Sequence, residues 1–334
     1  MDDSVKKGAF VISLDLELYW GVRDVIGPTS RYWENLRGER AAIRLLLDLF
    51  KEYDIAATWA TVGMLFASSD NDAMTLSPSI RPEYADSGLS PYAEFARDGR
   101  PSDDFLYGQD TIEQIRATPR QEIGTHTFSH YYCCEPGQTK ETFRADIESA
   151  VSAADAHGIT LRSIVFPRNQ HNPDYDDVLV ENGIFCYRGN QAAKMYRFGA
   201  VGRESPVTRI SRFADTYVNV SGMNTYSWDA IWRGPIANVA ASAFLRPVRN
   251  ASGPKEMLQF RRIAKCLDEA AEQGRIFHLW WHPHNFGART AENISFLRKI
   301  FDRFAKLRAD KGMTSFSMAE TAERSKHFVA AKAA

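Results

Sequence analysis

Cysteine, net charge and long apolar runs are all scarce in this 334-residue chain. Its four cysteines, Cys133, Cys134, Cys186 and Cys266, are irregularly spaced. That argues against a disulfide framework and suits a reducing compartment. The formal net charge is −1, so no global field draws the protein to nucleic acid or to an anionic membrane. No stretch reaches the length of a membrane span. The opening MDDSVKKGAFVISLDLELYW lacks an apolar run of signal-peptide length, so the expected setting is the cytoplasm. Internal repeats and low-complexity tracts are absent too. What remains is 44% hydrophobic and 25% charged, the composition of a globular protein that buries a large core without staples.

Apolar patterning then alternates in kind. AFVISLDLEL reads as a strand with acids at its far end, RAAIRLLLDLFKEYD as an amphipathic helix, and IAATWATVGMLF as a strand buried on both faces. Strand, helix, strand in close succession implies a parallel βαβ unit. Residues 66–119, punctuated by Pro78, Pro82, Pro91, Pro101 and Pro119, are expected to be a long inserted loop of the kind that forms lids. QEIGTH, LRSIVFP, IFCYRG, RIFHLWWHP and GMTSFSM read as further strands. Helices are expected over 139–157, DYDDVLVENG, 236–246, 255–273 and 291–310. Residues 190–235 look irregular, with some hairpin character, and the tail fades after the last strand. The whole chain, 1–334, reads as one catalytic domain of about seven strands alternating with helices, which favours a barrel or an open doubly wound sheet.

Residues capable of chemistry recur where these strands end. Asp15 and Glu17 close the first, His126 follows EIG, Arg168 and Asn169 follow SIVF, and His282 and His284 follow FHLWW. In parallel α/β folds these ends share one face, and active sites lie there. Asp15 and Glu17 alternate along a strand and so point the same way. Each has a structural reading as a solvated acid or an arginine partner, but acids interrupting a buried strand are costly without a role. His126 and His130, in GTHTFSHYYC, stand four apart. A carboxylate joining them would complete a His₂-carboxylate set with open positions for water. His282 alone could be a core-edge histidine bonded to a carbonyl. Cys133 and Cys134, adjacent and outside any C-x-x-C pattern, read as packing residues.

In this order the clusters resemble the NodB-type polysaccharide deacetylases of carbohydrate esterase family 4. SLDLEL stands where that family has an acid pair, HTFSH matches its H-[S/T]-x-x-H, VFPRN stands at its third motif, and LWWH at its last. Val165 replaces the third motif's arginine, the acid pair is D-x-E, and the fourth motif is indistinct, with YRGN at the expected point. The resemblance implies a distorted (β/α)7 barrel with an insertion after the second strand. It implies a divalent ion, zinc first with cobalt, nickel and manganese as alternatives, held by Glu17, His126 and His130. Asp15 would be the base and protonated His282 the acid, although which acid of the D-x-E pair binds the ion stays open. Arg168 and Asn169 would serve the oxyanion or the substrate, with Tyr19, Trp20, Trp59 and Asn285 lining a sugar pocket. Trp281 reads as core. Arg188, with Arg168 and Asn169, is a candidate for a uronate or phosphate.

The implied activity is removal of an N-acetyl or N-formyl group from an amino sugar or glycan, in the surface-glycan (O-antigen) branch of the family. The implied partners are that substrate and a second copy of the chain. The rival readings are an allantoinase-like cyclic amide hydrolase on the same fold and a catalytically silent carbohydrate-binding relative.

Overall fold

A computed structural model describes residues 7–27, 29–196, 205–249 and 253–333. Its strands are β1 (Ala9–Leu16), β2 (Ala57–Thr61), β3 (Gln121–Thr125), β4 (Ser163–Ile164), β5 (Cys186–Tyr187), β6 (Ala237–Asn238), β7 (Ala243–Phe244), β8 (Ile276–Trp281) and β9 (Thr314–Phe316). They pair in the order β6-β5-β4-β3-β2-β1-β8-β7, with β9 also on β1. Every pairing between these strands is parallel. The helices are α1 (Trp33–Glu52), α2 (Asp70–Leu76), α3 (Gln109–Ala117), α4 (Lys140–Asp155), α5 (Asp176–Glu181), α6 (Pro206–Asp215), α7 (Pro254–Gln273), α8 (Thr290–Lys311) and α9 (Met318–Ala333).

The sheet curls into the distorted (β/α)7 barrel that the sequence suggests, and one bent segment brings its two edges together. Ala237 N and Val239 N donate to Phe185 O and Tyr187 O beside β5, whereas Ser242 N and Leu245 N donate to His278 O and Trp280 O on β8. β6 and β7 are thus two halves of one stave, which makes seven with β1–β5 and β8. This corrects the helix expected over 236–246: backbone groups of that segment are claimed on both sides by neighbouring strands, and tertiary pairing overrides local helix preference.

Strand parity divides the core. On β1 the outward residues Phe10, Ile12, Leu14 and Leu16 pack beneath the helices. The inward ones, Ala9 and Val11, join Ile276 of β8 and Met318, Ala319 and Ala322 of α9 in a separate interior cluster. Further along the same inward row come Ser13, Asp15 and Glu17, all buried. The barrel interior therefore passes from apolar at the strand starts to ionisable at their ends. The tail is not frayed there: α9 caps the apolar end.

Two other expectations change. Residues 66–119 contain α2 and α3, with α3 forming the crossover from β2 to β3. Trp20 Nε1 donates to Leu106 O at 2.7 Å, tying that region to the loop after β1. Residues 190–235 contain the helix α6, which starts at a Ser205 cap and a first-turn Pro206; residues 197–204 lie outside the described set. The expected helices over 139–157, 255–273 and 291–310 are present as α4, α7 and α8. α4 begins at a Thr139 capping box.

Candidate active site

Glu17 is the hub of the site. It is buried against Gly21, where a Cβ would fall 1.8 Å from Glu17 Oε2, so only glycine leaves that carboxylate its place. Its Oε1 lies 3.0 Å from His126 Nε2 and 3.4 Å from His130 Nε2. His284 Nε2 approaches Oε2 at 3.5 Å, and His282 Nε2 lies 3.7 Å from Oε1. Burial by itself would raise the Glu17 pKa, but the surrounding imidazoles, His282 foremost, hold it well below the carboxylate range.

The HTFSH loop that carries two of these imidazoles is built to a fixed shape. Asp146 of α4 accepts from Phe128 N at 2.7 Å and from Ser129 N and Ser129 Oγ. Thr127 Oγ1 accepts from Tyr131 N at 2.7 Å, and Gly63 N and Met64 N donate to Thr127 O and Phe128 O. Thr127 and His130 sit at φ +64° and +55°, strained for non-glycine residues. Such strain persists only where the surroundings over-determine it, and it concentrates at functional sites. Burial lifts the Asp146 pKa to about 6 despite these donors.

The tautomer of His126 follows from its partners. Its Nδ1 faces Val165 O at 2.8 Å and must donate there. Nε2 is buried, has no hydrogen-bond partner and points at a carboxylate oxygen. In the neutral ring Nε2 therefore turns a lone pair toward that oxygen, and a cation between the two would satisfy both. Burial also lowers the His130 pKa, which keeps that ring neutral, and its Nδ1 lies 3.1 Å from Tyr132 Oη. A carboxylate and two imidazoles, oriented from behind, fit a divalent ion. Glu17, His126 and His130 form one cluster within ion-holding distance, and Glu17, His282 and His284 form another.

Asp15 has a different neighbour. Arg188, at the end of β5 and itself buried, donates to both of its oxygens at 2.6 and 2.7 Å. The same guanidinium donates to Ser13 Oγ and Asn169 Oδ1 and lies over the Trp280 ring at 4.0 Å. His278 on β8 completes the support, with Nδ1 on Val239 O and Nε2 on Ser13 Oγ. Burial drives its pKa down to about 3. Burial raises the Asp15 pKa and Arg188 more than reverses it, so Asp15 is ionised. His282 Nε2 stands 3.6 Å from Asp15 Oδ2.

The structure thus gathers Asp15, Glu17, His126, His130 and His282, with Asn169 and Asn285 at the margin. Asn285 Nδ2 lies 3.4 Å from His282 Nδ1, and Tyr32 Oη bridges Asn285 and His284. Several expectations need correction. Trp59 points outward from β2 into the helix layer, with Nε1 on Gln121. Trp20 is fully buried, and Tyr19 is buried with its hydroxyl on Glu94, so none of these three lines a sugar pocket. Trp281 is core, stacked on Phe286. Arg168 pairs with Asp24 and lies over Tyr132, and Arg188 is committed to Asp15, so neither is a free anion binder. His282 has its pKa lowered to about 4, by removal from water first; the resting imidazole is neutral rather than protonated. Cys133 is buried as packing, Cys134 is half-buried, and all four cysteines are free.

Sequence reasoning gave no role to His284, His278 and Glu39. Glu39, buried behind His284, has its pKa pushed up to about 7 by burial. An ionisable residue on the buried face of α1 was the only signal available for it.

Residues 37–186 match the family model for polysaccharide deacetylase. That match covers a little under half of the chain, and a fold likeness runs over nearly all of it. A candidate polysaccharide deacetylase from Mycobacterium smegmatis superposes with TM-score 0.59 at 13% identity, covering 98% of this chain and 93% of that one. A second, from Pseudomonas aeruginosa PAO1, gives 0.55 at 12%, covering 96% and 91%. Puue allantoinase gives 0.54 at 12%, covering 98% and 92%. No curated protein matches the sequence. At these identities the structures speak for the fold alone. Among the described residues no helix is long and apolar enough to cross a membrane.

Proposed function

We propose that the chain is a divalent-metal-dependent hydrolase that removes an N-acyl group, acetyl or formyl, from an amino sugar. The observation that carries this reading is the buried, unpartnered His126 Nε2, 3.0 Å from Glu17 Oε1 with His130 beside it. Glu17, His126 and His130 would hold the ion, zinc first, with Val165 O and Tyr132 orienting the two imidazoles. Bound there, the ion supplies Lewis-acid polarisation of the acyl oxygen and acidifies a water molecule.

The remaining work falls to the chain's own groups. Asp15, kept ionised by Arg188, accepts the water proton at Oδ2, the oxygen nearer His282. His282 is neutral at rest with its proton on Nε2, because Asn285 Nδ2 can only donate to Nδ1. It offers that N–H to the departing amine as Asp15 gives up the water proton to replace it, so the amine does not leave as an anion. Asn285 fixes the other ring nitrogen. Asn169 N is taken by Phe166 O and Pro167 has none, so the backbone N–H of Arg168, a residue held at positive φ, would serve the acyl oxygen. A cytoplasmic role in building surface-glycan precursors suits the four free cysteines.

The test is metal analysis of the purified protein and of His126→Ala, with a screen of N-acetyl and N-formyl amino sugars for released amine. One equivalent of ion lost in the variant, together with amine release, supports the proposal. Protein that takes up no ion overturns it, and hydrolysis of allantoin with no action on sugars transfers the site to cyclic amides.

A further inference from the structure

A cleft of about 650 Å³ opens beside His282, and its lining includes none of Glu17, His126 and His130. It is large enough for a sugar with a substituent. Its ionisable lining is one-sided: Arg209, Arg212, Arg246 and Arg262, against a single carboxylate, Asp215. That carboxylate is consumed. Asp215 accepts from Tyr196 Oη, Ser221 N, Ser221 Oγ, Val220 N and Arg262, each between 2.7 and 2.9 Å. Its charge is offset by Arg262, so that pair adds little net charge to the cleft.

Arg246 is half-buried and held in place. Its Nε donates to Thr216 Oγ1 at 3.0 Å, and its guanidinium lies 5.0 Å from the Phe213 ring and 5.9 Å from Phe244. Phe244 in turn packs 6.0 Å from the His282 ring, so the guanidinium is one aromatic residue away from the proposed proton donor. Among the described residues no carboxylate pairs with Arg246 or with Arg209, one helical turn back on α6 from the Phe213 that Arg246 covers. Burial and the neighbouring Arg249 lower the Arg246 pKa, as expected of a cation crowded by others.

We propose that this cleft is an oxyanion subsite, and that the substrate is an amino sugar carrying a phosphate ester or a carboxylate next to the ring that bears the acyl group. Arg246, held by Thr216 and lying over Phe213, and Arg209 at the cleft's exposed rim bind the anion, because guanidinium forks match such groups. The inference takes its sugar from the deacylase reading, but the anion stands on the cleft alone.

The experiment measures calorimetric binding of N-acetylglucosamine, N-acetylglucosamine 1-phosphate and glucuronic acid to the intact protein. It repeats the measurements on Glu17→Gln, Arg209→Gln, the Arg209→Gln/Arg246→Gln double variant and the distant surface control Arg298→Gln. A charged sugar should bind at least about tenfold more tightly than the neutral one, the size of a charged hydrogen bond. That preference should persist in Glu17→Gln and Arg298→Gln, weaken in Arg209→Gln and vanish in the double variant. Whichever charged sugar is preferred identifies the anion. Equal binding of charged and neutral sugars overturns the subsite, as does a preference untouched by Arg209→Gln, whose exposed position spares the fold. A preference in the intact protein that survives in Glu17→Gln, with no amine released from any sugar by the intact, metal-loaded protein, would sink the deacylase reading while leaving the anion subsite standing.

Discussion

The two halves of the barrel were built differently. β8, β1, β2 and β3 are strands of five to eight residues with continuous apolar rows. They deliver Asp15, Glu17, His126, His130 and His282 at their ends. β4 to β7 are two residues each, held by isolated backbone bonds and by side chains such as Arg188 and Asn238. They deliver the arginines, Arg188 to the site and Arg246 to the cleft. Long strands place chemical groups by parity. Short ones place them only through long-range partners.

The contrast can be broken most severely in the long-strand half. Glu17→Gln removes the shared charge among four imidazoles, and elemental analysis should find the ion lost with the fold's circular dichroism unchanged. Gly21→Ala should do the same by pushing the carboxylate aside, without altering any ligand.

Next comes the link between the halves. Arg188→Met leaves Asp15 ionised and buried without its partner, which should cost about 3–5 kcal/mol in urea unfolding. Adding Asp15→Asn should recover much of that loss, whereas two independent effects would simply add.

Asp146→Ala strips the acceptor from Phe128 N and Ser129 N and should cost about 1–3 kcal/mol, with weaker ion affinity in the same preparation. A loss of stability without a loss of affinity would show that the loop holds its shape unaided.

The mildest expected effect is a pH slope. His278 has a folded pKa of about 3, below its unfolded value near 6.5, so the unfolded chain binds the extra proton between those values. His278 should therefore erode stability as pH falls through that window, by up to about 1.4 kcal/mol per pH unit. His278→Gln should flatten the profile by one proton; an unchanged slope would mean that other groups carry it.

The same contrast governs what was legible beforehand. HTFSH and LWWH advertise themselves because each ends an apolar run, and the D-x-E pair because alternation makes two acids face one way. Arg188 looked like a free anion binder because a charged residue's partner can be 173 positions distant. Trp59 and Tyr19 looked like sugar platforms because an aromatic side chain reads alike in a pocket and in a core; strand parity, once β2 is in place, sends Trp59 outward. The segment 236–246 looked helical because its backbone bonds lead to Phe185, Tyr187, His278 and Trp280, none of them nearby in sequence.

By itself, the order of residues determined which strands exist in the long half, which face of each is inward, and that acids and imidazoles collect at one end, since periodicity and burial cost act locally. Only the tertiary structure decided that Glu17 rather than Asp15 meets the two imidazoles, that Arg188 neutralises Asp15, and that an arginine-lined cleft opens beside His282. Those outcomes depend on curvature and long-range pairing, which bring together groups that no short window of sequence contains.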